Sequence, residues 1–138
     1  MRKDLELQLV KDFPEIYALY GNENSCMGRS EQGFQHDDGW YDLVYCLSKQ
    51  IAEISNKYEV RIIALQVKEK FGSLKFYYSL DPERDSTRQE VNKSIRQAEA
   101  DSLVTCEICG KEGSKDKGKK AGRTKVLCSE CSERDIAE

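Results

Sequence analysis

Residues 60–80 read Val60-Arg-Ile-Ile-Ala-Leu-Gln-Val-Lys-Glu-Lys-Phe-Gly-Ser-Leu-Lys-Phe-Tyr-Tyr-Ser-Leu80. The first eight residues are rich in β-branched and apolar types, which favour a pleated, half-buried strand. Leu74, Phe76, Tyr78 and Leu80 then alternate with Lys75, Tyr77 and Ser79, the period of two that puts one set of side chains on a single face. Between the two runs, Lys68 to Ser73 contains Gly72, the residue type a hairpin loop requires. The stretch predicts a β-hairpin. Two strands alone are marginal in water, so this hairpin must be covered by helices or extended by strands of a partner chain.

The cover lies on both sides of it. With residues placed about 100° apart, Trp40, Leu43, Val44, Leu47, Ile51, Ile54 and Tyr58 fall within about 60° of one line, while Asp42, Lys49, Glu53 and Asn56 lie opposite. This is an amphipathic helix laid on a core, with Asp38 read as its cap. Upstream, residues 2–20 predict two short helical pieces, the second started by Asp12-Phe13-Pro14 and the whole ended by Gly21. Residues 21–37 carry turn formers without periodicity and predict a long surface loop. Downstream, Asp81-Pro82-Glu83 reads as a helix start. The helix should run to about Val104, with a thin apolar face of Val91, Ile95, Ala98 and Leu103. Its charges can pair at i, i+3 as Asp85/Arg88, Glu90/Lys93 and Arg96/Glu99. The expected fold class is α+β, an α-α-β-β-α body over 1–104 followed by a small module over 105–138.

At 138 residues there is room for one modest domain and an appendage. Charged residues reach 34% and the net charge is −3, so no global attraction to nucleic acid or anionic membrane is expected. The longest apolar stretch, Ile62 to Leu65, is far too short for a membrane span. The opening Met-Arg-Lys-Asp-Leu-Glu places acids where an export signal needs an apolar run. A cytoplasmic chain is expected, and there cysteines serve as metal ligands or free thiols rather than disulfides.

Four of the six cysteines form two matched pairs, Cys106-Glu-Ile-Cys109 and Cys128-Ser-Glu-Cys131. In each pair a two-residue gap folds into a knuckle that aims both sulfurs at one centre, and two knuckles complete a tetrahedron around Zn²⁺. Four thiolates close the coordination sphere, so one structural zinc in a C-terminal zinc ribbon is expected, with no catalytic position. A module this short buries too little surface to fold without it.

Between the pairs, residues 110–125 carry six lysines and one arginine against Glu112 and Asp116. Lys117, Lys119, Lys120 and Arg123 are candidate phosphate contacts, although a solvated loop offsetting the thiolate charge is the plainer reading. No aromatic residue interleaves them, so base stacking is unsupported. Gln35-His36-Asp37-Asp38 places the lone histidine beside two carboxylates, as a general base or second metal site would, while a solvated histidine is the commoner outcome. Tyr41 and Tyr45 lie beside the buried stripe and are candidates for a recognition surface. Cys26 and Cys46 read as unpaired thiols.

The phrases Asp38-Gly-Trp40, Val67-Lys-Glu-Lys-Phe-Gly-Ser-Leu-Lys-Phe-Tyr77, Ile95…Ala98-Glu99…Ser102 and Cys106-Glu-Ile-Cys109-Gly, in that order, resemble a group of small uncharacterised phage- and prophage-encoded proteins. The resemblance covers roughly residues 13–131. This chain differs in its longer, more charged insertion between the cysteine pairs and in ending the second pair with Cys131, where a histidine would serve equally. The resemblance implies a phage or mobile-element context and zinc binding, and it transfers no catalytic residue. Three functional readings follow. The first is a non-catalytic binding protein that engages a host protein, as a host-defence inhibitor or adaptor, alone or as a homo-oligomer. The second is a nucleic-acid accessory protein that uses residues 115–125. The third is a nucleotide-binding sponge or hydrolase centred on His36, Asp37 and Asp38.

Overall fold

A computed structural model describes residues 1–20, 33–115 and 124–137. Helix α1 spans Lys3–Asp12, strand β1 Phe34–Gln35, helix α2 Tyr41–Tyr58, strand β2 Arg61–Lys70, strand β3 Ser73–Asp81, helix α3 Asp85–Ser102 and helix α4 Ser129–Ala137. The fold is α+β. β2 is the central strand of a mixed sheet, antiparallel to β3 and parallel to the short β1.

The hairpin forms as expected, with a tighter connection. Lys68 to Lys70 and Ser73 belong to the strands, and only Phe71 and Gly72 turn, at φ 55° and 83°. Two consecutive positive φ values are what a two-residue hairpin turn with the right twist demands. The Glu69 carboxylate accepts the Gly72 N–H at 2.8 Å. On β3, Leu74, Phe76 and Leu80 point inward as the period of two requires. On β2, Ile62 and Ala64 are buried and then Val67, because a bulge between Ala64 and Gln66 inserts Leu65 and shifts the phase by one.

One face of the sheet is covered by α2 and α3, with α2 against β2, α3 against β3 and the two helices packed on each other. The stripe expected on α2 is the one that faces in: Trp40, Val44, Leu47 and Ile51 are buried, Leu43, Ile54 and Tyr58 half-buried, and the opposite residues exposed. α3 buries Thr87, Val91, Ile95, Ala98 and Ser102. Leu103, expected on that stripe, is instead exposed beyond the helix end. Ser102 is there because its hydroxyl accepts the N–H of Leu74 at 3.0 Å, satisfying the start of β3.

Several expectations need correction. Within the expected loop, Phe34 and Gln35 are strand: they pair with Val67 and Lys68, and the Phe34 N–H is held by Glu6 at 3.1 Å, while Gly33, His36 and Asp37 remain irregular. Residues 21–32 lie outside the described residues. Asp12-Phe13-Pro14 opens turns rather than a helix, and Asp12 instead accepts hydrogen bonds from Gln8 and Tyr45. Asp38 does not cap α2; Asp38–Trp40 form a 3₁₀ turn, and the Asp38 carboxylate accepts the Arg2 N–H at 2.7 Å. α3 starts at Asp85 because β3 continues to Asp81, paired with Arg61, and carries the chain past Pro82. The ionic contacts of α3 reach other segments, Lys57 to Glu90, Lys75 to Glu99 and Glu83 to Arg88, in place of the i, i+3 pairs. Among the described residues no helix is long and apolar enough to cross a membrane.

Candidate metal centre and the cleft beside it

The two cysteine pairs are presented differently. Cys106 to Cys109 form a turn closed by the Gly110 N–H on the Cys106 carbonyl at 2.9 Å and by the Cys106 N–H on the Lys111 carbonyl at 2.6 Å. Gly110 sits at φ 84°, the left-handed region that glycine alone enters freely. Cys128 instead precedes α4, and Cys131 lies in its first turn. Two isolated bridge pairs, Thr105 with Glu112 and Ser114 with Leu127, align the segments between them. The second cysteine pair is thus carried by a helix N-terminus.

All four sulfurs lie within 4.8 Å of one another. Cys109 and Cys128 are 3.5 Å apart, too far for a disulfide of about 2.05 Å and close to the ~3.8 Å edge of a tetrahedron with ~2.3 Å metal–sulfur bonds. The set can hold a metal ion. The Cys131 N–H points at the Cys128 sulfur from 3.5 Å, and this donor at the helix start draws Cys128 down to about 7, toward the thiolate a metal needs. Burial pushes the Cys109 and Cys131 thiols up without a metal. Among the described residues, Leu127 is the one buried non-cysteine side chain in this small core.

The centre is clamped onto the body. The Trp40 indole donates to the Thr105 carbonyl at 2.9 Å, and the Gly39 N–H to the Glu107 carbonyl at 2.7 Å. Gly39 is required: a Cβ there would lie 2.2 Å from the Cys106 oxygen and 2.5 Å from the Glu107 oxygen. Sequence reading passed over this glycine, although Asp-Gly-Trp immediately before a helix is the visible trace of a close backbone approach.

His36 is not solvated as expected; it is 5% exposed, its ring between Phe34 and Trp40. Desolvation lowers it to about 4, against the hydrogen bond with the Asp37 carbonyl, which favours the charged form. The Asp37 N–H donates to Glu107 at 3.1 Å, and the Asp37 carboxylate pairs with Lys125 at 2.6 Å. Desolvation pushes Glu107 up to about 7 despite the nearby Lys125 ammonium. A pH dependence follows from His36. Between pH 6.5 and about 4 the unfolded chain takes up a proton that the folded chain refuses, so this contribution is full above 6.5 and is lost as the pH falls through that window. In urea titrations the stability gap between wild type and His36→Gln should therefore shrink by up to about 3 kcal/mol from pH 7 to pH 4. Glu107 acts in the opposite direction but is present in both proteins, so it cancels in the difference; a gap that does not move would show His36 to be protonated or exposed.

Tyr41 and Tyr45 are half-buried, 5.9 Å apart, and Tyr45 donates to Asp12 at 2.8 Å while its ring meets Phe13 edge-on. They join α1 to α2. Cys46 is exposed and unpaired. Lys117, Lys119, Lys120, Arg123 and Cys26 lie outside the described residues; the flanking Lys111 and Lys125 pair with Glu130 and Asp37. Compared with protein-family models, with curated proteins and with solved structures, the chain has no match.

Proposed function

We propose that this protein is a non-catalytic, zinc-containing binding protein of phage or mobile-element origin, working in the host cytoplasm by engaging a host protein. The observation that carries the reading is the convergent set of four sulfurs at Cys106, Cys109, Cys128 and Cys131, docked on the body through Gly39 and Trp40. Such a sphere leaves no position for water or substrate, so its zinc holds shape rather than performing chemistry. The phage context and the inhibitor or adaptor role rest on the resemblance of the hairpin and cysteine phrases. The nucleic-acid reading is weaker, since Lys111 and Lys125 at the ends of the basic loop are already engaged by carboxylates. Against a hydrolase centred on His36, Asp37 and Asp38 stand the buried ring and the engagement of Asp37 by Lys125 and of Asp38 by Arg2.

Native mass spectrometry of the full chain, before and after acid denaturation, is expected to show one tightly held zinc ion and no retained nucleotide. Charge reversal at Lys117, Lys119, Lys120 and Arg123 should leave capture of a protein partner from bacterial lysate unchanged. A metal-free chain would overturn the zinc assignment. Duplex binding that weakens steeply with salt and disappears on charge reversal would put the nucleic-acid reading first.

A further inference from the structure

Where the Asp37–Gly39 turn docks on the first cysteine pair, two buried hydrogen-bond acceptors have no partner among the described residues. Nδ1 of His36 lies 2.9 Å from the Asp37 carbonyl oxygen. A carbonyl only accepts, so Nδ1 carries the proton of the neutral ring and Nε2 is left as a lone pair. That Nε2 is buried and without a partner among the described residues. Glu107 is 3% exposed; its Oε2 accepts the Asp37 N–H, and its Oε1 is likewise buried and unpartnered. Both side chains line one cleft of about 320 Å³, together with Asp37, Glu69, Thr124 and Lys125.

An acceptor buried without a donor costs about 1–3 kcal/mol, and more when it is charged. Two in one cleft mark a place suited to an added electron-pair acceptor, since no described residue supplies one. An imidazole nitrogen and carboxylate oxygens lining one cleft are a ligand set suited to zinc-like dications. We propose that this cleft is a second metal site, chemically distinct from the four cysteines, which takes an exchangeable divalent transition-metal ion on Nε2 of His36 and Oε1 of Glu107, with Asp37 as third ligand. Among the described residues only the cysteines already converge within 4.8 Å, so this site closes on its ion by side-chain movement. The Lys125 ammonium beside Asp37 and the Met1 ammonium, 2.6 Å from the His36 carbonyl, oppose a cation. Both effects keep the affinity modest.

The test is a Co²⁺ titration of the full chain whose cysteine site has first been filled with zinc. One further equivalent is expected, with the weak visible bands of nitrogen and oxygen ligands. Thiolate charge-transfer bands, which would report cobalt entering the cysteine set, should be absent. Affinity should fall more than roughly tenfold in His36→Gln and in Glu107→Gln, and rise in Lys125→Met. His36 is the only histidine, so its Nε2 resonance in the unaltered protein reports the same event without any substitution. That resonance should move on titration with diamagnetic Zn²⁺. A zinc-filled chain that takes up no cobalt and leaves the His36 resonance in place would overturn the proposal and assign the cleft to water. Binding unchanged in both glutamine variants would place the ion elsewhere and overturn it equally. The thiolate bands read the cysteine site separately, so failure of one site is not failure of the other.

Discussion

Stripping the metal with a chelator, or replacing Cys106 with serine, is expected to unfold the chain from Thr105 onward while the helices and sheet of the body stand. The magnitudes decide this. A four-thiolate site supplies on the order of 10 kcal/mol to a small module. Leu127, the one non-cysteine side chain of that core among the described residues, supplies roughly 1.5–3 kcal/mol on burial. Without the metal, the deficit exceeds anything the remaining contacts return. The body has its own core, running from Leu9 through Trp40, Ile51 and Val67 to Ile95, and does not depend on it. Trp40 is the only tryptophan, and its indole donates to Thr105, so its emission reads the boundary directly. Chelation should shift that emission to the red and open amides 105–115 to exchange, while those of β2 and β3 stay protected. An unchanged emission with protected amides would show that the module holds without metal.

Gly39→Ala should have the second-largest effect, a loss of about 3 kcal/mol in denaturant titrations together with weaker metal retention. Overpacking usually costs about 1–3 kcal/mol, because neighbouring side chains give way. Here the obstacles are the backbone oxygens of Cys106 and Glu107, which cannot move without bending the cysteine turn itself. The hydrogen bond from Gly39 to Glu107 would go as well. Gly110→Ala is the control: its Cβ would meet only Gly39, at 3.2 Å, and the φ of 84° accounts for a loss nearer 1 kcal/mol. Equal losses at the two positions would show that the Cys106–Glu107 backbone gives way to an added methyl group.

The parts of the fold that are written locally were legible. The α2 stripe depends only on spacing, the inward face of β3 only on alternation, and the cysteine centre only on two matched gaps. What was missed depends on partners far along the chain. Two residues cannot announce a strand, and Phe34–Gln35 is one because β2 offers an edge and Glu6 fills a donor. The helix start at Pro82 looked sound by local rules, yet pairing of Asp81 with Arg61 holds the expected cap in β3, and the helix begins only at Asp85. His36 sits in a polar stretch of sequence and is nonetheless buried, because Phe34 and Trp40 close on its ring. Charges on α3 satisfied a helical spacing rule and found better partners on α2 and β3.

The clamp between body and metal centre joins residues 65 apart at Trp40 and Thr105, and 70 apart at Asp37 and Glu107. Contacts this distant in sequence close large loops, and the entropy of closing them is spent before the contact rewards it. Helices α2 and α3 and the hairpin are local and form early, so docking of the cysteine segment is the late event on the folding path. With a metal on the four cysteines, its availability would govern how fast a newly made chain matures as well as how stable it becomes, and a chain emerging into metal-poor surroundings would wait, body folded, with Trp40 uncovered.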